Sequence, residues 1–253
     1  MHRPALTLVL LLSLGARAAA LVGGAPEIPD ARTQPELMIV GDRGNFCTGA
    51  AIARDLVLTA AHCVLPGANY MLLEFRADKT PSLKTITAIA RHPQFNLQTL
   101  LAHRATADVA LLKLDAPLSM RPATLLPPRP RVAVGERFVL RGYGLTKRGD
   151  GSSGGKLRSA TLAATGQPGN LQLRLVDAAT GGTRAGLGAC TGDSGAPVYQ
   201  ESTNTLAVYG VVSWSTGPNG EAGCGGLTGV TPLELYRKWI DEQALKMGST
   251  IAR

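Results

Sequence analysis

Short runs in which apolar and polar residues alternate dominate the chain. Leu171-Gln172-Leu173-Arg174-Leu175 alternates with a strict period of two, the spacing of a strand with one buried face. Arg137-Phe138-Val139-Leu140-Arg141 and the stretch Leu206–Val212 are apolar or β-branched runs bounded by Gly and turn residues, and they too predict strands. Thirty Gly and 16 Pro punctuate such runs at the spacing expected of antiparallel barrels or sandwiches. One segment breaks the period of two. After Pro232, residues Tyr236, Trp239, Ile240 and Ala244 share one face of a helix, which predicts a C-terminal helix docked on the core. Between Ala116 and Arg131 five prolines (Pro117, Pro122, Pro127, Pro128, Pro130) predict a connector between two β halves.

The N-terminus follows a different pattern. Arg3 precedes the apolar run Ala5–Leu14, and Ala18-Ala19-Ala20 supplies a small-x-small site. Together these make an export signal; the run is too short for a spanning helix, which needs roughly 20 residues. Cleavage after Ala20 exposes Leu21-Val22-Gly23-Gly24, and Ala16-Arg17-Ala18 offers a competing cut after Ala18. Residues 1–20 are therefore expected to be a signal peptide and 21–253 the working domain, secreted or periplasmic. Removing the first 20 residues takes away Arg3 and Arg17 and no acid, so the formal charge of +8 becomes +6 over 233 residues. That length buries a large core as one domain or two small ones. No later apolar run approaches membrane-spanning length, and the basic residues are scattered rather than interleaved with aromatics, so neither a membrane nor a nucleic-acid partner is expected.

Four cysteines remain: Cys47, Cys63, Cys190 and Cys224. In an exported chain an even count points to disulfides, with three possible connectivities. The absence of any Cys-x-x-Cys pair argues against zinc. Bridges between sequence neighbours would each contribute roughly 2–4 kcal/mol.

Three local motifs carry chemistry. In Leu58-Thr59-Ala60-Ala61-His62-Cys63 an apolar strand ends in a histidine, whose unperturbed pKa suits a general base. In Asp108-Val109-Ala110-Leu111-Leu112-Lys113-Leu114 an acid precedes a strongly apolar strand. In Cys190-Thr191-Gly192-Asp193-Ser194-Gly195-Ala196-Pro197 glycines flank a serine, permitting a tight loop that presents its hydroxyl and aims backbone N–H groups at one point, as an oxyanion requires. Singly, each has an ordinary structural explanation: a core or surface histidine, a turn aspartate, a glycine turn.

In combination and in this order, the three motifs resemble those of the trypsin and chymotrypsin family of serine proteases. The resemblance, to a secreted, bacterial-type member, extends over nearly the whole chain. It includes Leu21-Val22-Gly23-Gly24, Cys47-Thr48-Gly49, His92-Pro93, Gly142-Tyr143-Gly144, Val212-Ser213-Trp214 and the C-terminal helix. It implies an all-β fold of two antiparallel β-barrels with the active site in the cleft between them, plus a C-terminal α-helix. The first barrel is expected over about 21–120, and the second with the helix over about 131–253. It implies His62, Asp108 and Ser194 as the catalytic triad and the backbone N–H groups of Gly192 and Ser194 as the oxyanion hole. It pairs Cys47 with Cys63 and Cys190 with Cys224, and it has Ser213 brace Asp108. The expected activity is that of a serine endopeptidase, with polypeptide substrates and protein protease inhibitors as partners, as a monomer, with no metal or cofactor. The alternative is a non-catalytic binding or scaffold protein on the same fold.

Some expectations are finer. The specificity pocket should be formed by Gly188, Ser213, Trp214, Ser215 and Gly229. Gly188 lies at the floor, where trypsin-like members carry Asp, and Gly229 on the opposite wall, so neutral small or medium apolar side chains are expected before the cleaved bond. Ser215 stands where Gly is common, Ala196 replaces a Gly, and Thr216–Gly223 is a lengthened loop containing the acid Glu221. The resemblance also has the α-amine of Leu21 insert beside Asp193 and shape the oxyanion hole. Arg148-Gly149-Asp150 resembles an integrin ligand but sits in a Gly/Ser-rich loop, where it reads as chance.

Overall fold

The computed structural model describes residues 21–75, 80–129, 131–166, 170–201 and 207–252; the expected signal peptide lies outside them. The first half contains β1 (Glu36–Gly41), β2 (Phe46–Ala53), β3 (Leu56–Thr59), β4 (Tyr70–Phe75), β5 (Pro81–Arg91) and β6 (Ala110–Leu114), with α1 (Leu97–Leu101) between the last two. The second contains β8 (Arg137–Gly142), β9 (Arg158–Gly166), β10 (Leu173–Val176), β11 (Pro197–Gln200), β12 (Ala207–Ser215) and β13 (Thr228–Pro232), then α2 (Arg237–Lys246). The expected strands thus form, the one at Leu171 starting two residues later at Leu173; of the stretch Leu206–Val212, Leu206 lies outside the described residues.

The first six strands close as β1-β2-β3-β6-β5-β4, all antiparallel. The second set runs β11-β8-β9-β10-β13-β12 and closes through β11–β12. Among the described residues, closure leaves no unpaired edge within either six-stranded ring. Each barrel has its own core: Leu37, Ile39, Val57, Leu72 and Leu112 fill the first, and Phe138, Leu140, Leu162, Leu173 and Val230 the second.

The two barrels share a third apolar cluster. Ile52, Leu56, Leu58 and Leu111 of the first meet Tyr199, Val208 and Val211 of the second, and Tyr236, Ile240 and Ala244 of the C-terminal segment pack onto both. The stripe expected on that helix is therefore a seal across the barrel junction. Trp239 and Tyr236 also receive His92 edge-on, at ring separations of 4.9 Å. Within the proline-rich connector, β7 (Thr124–Leu125) pairs in parallel with the start of β12. Ala123 N–H bonds Ala51 O of the first barrel and Leu126 N–H bonds Val208 O of the second.

The boundary expected for the first barrel needs correction at its start. Leu21 and Ala25 are buried in the second barrel's core, and Val22 and Glu27 bridge to Gly188 and Arg158. Burial in that core takes the Leu21 side chain out of water. The C-terminus makes the reverse crossing, with Ala252 N–H bonded to Ile52 O of the first barrel.

Candidate active site

Strand pairing brings the first two motifs together. β3 and β6 are in register with Thr59 opposite Ala110, so the residue following β3's end and the residue preceding β6 meet at one end of the barrel. His62 lies in a 3-10 turn, Ala61–Val64, tied to β2 by the Cys47–Cys63 disulfide. Its backbone N–H donates to Asp108 Oδ1 at 3.0 Å, and its Nδ1 lies 2.8 Å from Asp108 Oδ2. Ser213 Oγ donates to the same Oδ2 at 2.6 Å. Asp108 is fully buried, and these three donors provide the partners such a carboxylate requires. An ionised carboxylate only accepts hydrogen bonds, so Nδ1 carries the imidazole proton and Nε2 keeps its lone pair.

The third motif is a loop with a fixed backbone. Asp193 N–H bonds Cys190 O at 3.0 Å, Gly195 N–H bonds Val212 O at 2.8 Å, and Ala196 N–H bonds Asp193 O at 2.9 Å. Gly192 has φ +93°, where a Cβ would lie 2.1 Å from the Phe46 ring; the position admits only glycine. The Thr191 carbonyl accepts from Leu145 N–H at 2.8 Å. A trans peptide points its C=O and N–H in opposite directions, so this bond turns the Gly192 N–H away from Leu145. Among the described residues, the N–H groups of Gly192 and Ser194 make no hydrogen bond. Both residues line a cleft of about 420 Å³ together with His62, Phe46, His103 and Arg148. Among the described residues, no carboxylate lines it. The Ala196 methyl is accommodated in the second barrel's core.

Asp193 points inward, away from the cleft. It is fully buried, with Oδ1 accepting from Gly144 N–H and Oδ2 from Cys190 N–H, both at 2.9 Å. A Cβ on Gly142 would lie 2.2 Å from this carboxylate and one on Gly144 2.4 Å, so both glycines of Gly142-Tyr143-Gly144 make its room. Burial pushes the Asp193 pKa up to about 7, against the pull of the two N–H groups and of Arg158. Leu21 shares a core cluster with Ala189 and Ala196, on either side of this loop.

The pocket residues divide. Ser215 lines the cleft, with Cys190, Thr191, Ala222 and Gly223 beside it. Gly188, Ser213, Trp214 and Gly229 are buried and are not among the lining residues. Gly225, not Gly229, faces Gly188: a Cβ on Gly188 would lie 3.0 Å from Gly225 Cα. Gly229 pairs with Trp214 across β12–β13 and lies under its indole, 2.1 Å from Cε2 if given a Cβ. Three nearby glycines at 225, 226 and 229 offered no sequence cue to tell them apart; the strand register decides. The second disulfide, Cys190–Cys224, joins the serine loop to the pocket loop. Glu221 is exposed and outside the cleft lining. On the opposite rim His103, at φ +51° just after α1, stacks on Trp214 with centroids 5.1 Å apart and planes at 16°. Nothing in the apolar pattern flagged it, although Asn96, which caps α1 by accepting from Thr99 N–H, marks that helix's start. Asp150 of the Arg-Gly-Asp tripeptide bonds Ser152 through its side chain, as the cap of a short 3-10 turn.

Comparison with known proteins agrees with this geometry. Residues 22–240 match the profile of the Trypsin family. The chain is 29% identical to trypsin of Sus scrofa over 199 residues, covering 74% of this chain and 81% of that one. It is 31% identical to human azurocidin over 241 residues, covering 87% and 85%. The solved structure of human heparin binding protein superposes with a TM-score of 0.68 at 25% identity, covering 87% of this chain and 96% of its own. With this match over residues 22–240, two six-stranded barrels and the C-terminal helix, the chain belongs to the Trypsin family.

Proposed function

We propose that the protein is an exported serine endopeptidase working through Ser194, His62 and Asp108. The carrying observation is the His62 Nδ1 to Asp108 Oδ2 contact of 2.8 Å, which leaves Nε2 as a base in the cleft that Ser194 lines. Ser194 Oγ attacks the scissile carbonyl carbon while His62 Nε2 takes the hydroxyl proton; the imidazolium is stabilised by Asp108 and returns the proton to the leaving amine. The carbonyl oxygen, now an anion, is held by the N–H groups of Gly192 and Ser194. Water repeats the sequence on the acyl-enzyme and frees Ser194. Protein protease inhibitors would occupy the same cleft.

Neutral residues, small or medium in size, are the proposed choice before the cleaved bond. The reading is supported by a cleft lining without a carboxylate, by Gly188 packed against Gly225, and by the Ser215 hydroxymethyl in the lining. Signal removal after Ala20 is proposed to be the activating cut, its new Leu21 amine pairing with Asp193. Two observations support this. Asp193 in the uncut chain is buried with a pKa raised to about 7, the condition of a carboxylate short of a cation. Leu21 has φ +49°, a left-handed torsion costing roughly 1–2 kcal/mol for a residue with a Cβ, and that torsion exists only while Ala20 is attached.

A second reading, a binding or scaffold protein, draws support from the likeness to a protein named for heparin binding and from the net charge of +8. Labelling with a fluorophosphonate probe separates the two. The peptidase reading expects the form beginning at Leu21 to be labelled, Ser194→Ala to be blank and His62→Ala to be nearly so. A folded protein that resists the probe would sink it and leave the binding reading.

A further inference from the structure

The first barrel reaches into the serine loop through one side chain whose role the proposed mechanism does not include. Thr48, on β2 and completely buried, makes four hydrogen bonds, two of them to that loop. Its N–H donates to Ser194 O at 2.9 Å. Its carbonyl accepts from Thr59 Oγ1 at 2.9 Å. Its hydroxyl donates to Gly192 O at 2.8 Å and accepts from Tyr143 N–H at 3.1 Å. A hydroxyl has a single proton to donate, so its direction is fixed: the proton goes to Gly192 and the lone pair faces Tyr143.

Gly192 needs that fixing more than its neighbours do. It has φ +93° and no side chain, so its own torsions scarcely resist rotation of the peptides on either side. Three contacts hold those peptides: Thr191 O accepts from Leu145 N–H, Asp193 N–H donates to Cys190 O, and Gly192 O accepts from Thr48 Oγ1. We infer that the Thr48 hydroxyl is a positioning group for the oxyanion hole: by holding Gly192 O it keeps the Gly192 N–H aimed into the cleft. Without it, Gly192 O and Tyr143 N–H would both be left buried without a partner, and rotation at Gly192 would relieve the first at the expense of the aim. The inference rests on the peptidase reading of the cleft.

Thr48→Val keeps the branched shape and removes only the hydroxyl; Thr48→Ser restores it. The Val variant is expected to lose about ten- to a hundredfold in kcat on a small peptide p-nitroanilide, less than the ~10²–10³ that follows deletion of an oxyanion donor itself, with KM unchanged because ground-state binding is untouched. Tri-alanine aldehyde, whose hemiacetal puts an oxygen in the hole, should lose affinity by the same factor. Tri-alaninol, which makes no oxyanion, should lose none, and Thr48→Ser should recover both properties. A general packing defect would weaken aldehyde and alcohol alike, and that result, or an unchanged kcat, overturns the inference. Failure of the unmodified protein to hydrolyse or take up fluorophosphonate would count against the peptidase reading alone. A crystal structure of Thr48→Val then decides: an unturned Thr191–Gly192 peptide overturns the positioning role, and a turned one supports it.

Discussion

Replacing Asp193 by Asn should shift stability in opposite directions according to whether the Leu21 amine is free. In the uncut chain, the Asp193 pKa is about 7 against an ordinary value of 3.8. A carboxyl with a raised folded pKa keeps its proton longer in the folded than in the unfolded state. Its contribution is therefore most favourable below about pH 3.8 and is lost as the pH rises through about 7. At 1.36 kcal/mol per pKa unit, a rise of about three units destabilises the uncut fold by about 4 kcal/mol above pH 7, an upper value. Asn removes that charge but turns an NH₂ toward one of the two backbone donors, Gly144 N–H or Cys190 N–H, which costs about 1–3 kcal/mol. The uncut form should therefore gain about 1–3 kcal/mol from Asp193→Asn at pH 8, and little or nothing at pH 5. In the form beginning at Leu21, where the amine neutralises the carboxylate, the same change strands a buried ammonium and should cost about 3–5 kcal/mol. Urea melts of both forms, with and without the substitution, in a Ser194→Ala background that cannot digest itself, supply the comparison. A shift of the same sign and size in both forms at pH 8 would refute the pairing of Leu21 with Asp193.

Three further outcomes follow from the same geometry. An Arg p-nitroanilide should be cleaved more slowly than its Ala or Leu counterparts; the reverse ranking in a fixed-enzyme assay would show that a carboxylate reaches the pocket, with Glu221 the first suspect. Gly192→Ala puts a methyl 2.1 Å from the Phe46 ring at φ +93°, so kcat should fall on the order of 10²-fold or more as the N–H loses its aim, and a fully active variant would contradict the loop geometry. Mass analysis of the exported protein should find Leu21 at the N-terminus; a persistent Ala19 start with full activity would separate signal removal from activation.

How much of this was legible in the sequence depends on the range of the interaction concerned. Strands such as Arg137–Gly142 follow from local alternation, and the C-terminal helix from its stripe. The three motifs each announced their residues because the backbone demands are local: a strand end, a strand start, a glycine-flanked turn. What escaped was set by contacts between distant segments. Gly188's partner was expected at Gly229 and lies at Gly225, because the register of β12 on β13 takes Gly229 to Trp214. Thr48 was visible only as part of Cys47-Thr48-Gly49; the carbonyl its hydroxyl holds is 144 residues away. The local pattern of residues 21–28 does not name their destination either, since their apolar side chains match either core equally well; only the resemblance sent Leu21 toward Asp193.

The exchange of termini has a mechanical consequence. The leading segment is plugged into the rear barrel through Leu21, Val22 and Glu27, and the trailing one is strapped over the front barrel, ending with Ala252 on Ile52. Neither half can swing away while both straps hold, so opening becomes an all-or-none event that must first peel off a chain end. Such an arrangement lengthens the lifetime of the folded state to the extent that the straps are absent from the folding transition state. If the proposed peptidase activity holds, survival among its own copies is governed by how rarely a cleavable segment is exposed. On the proposed peptidase reading the crossed ends act as a clock on self-digestion, since a cleavable segment is exposed only after an end has peeled away.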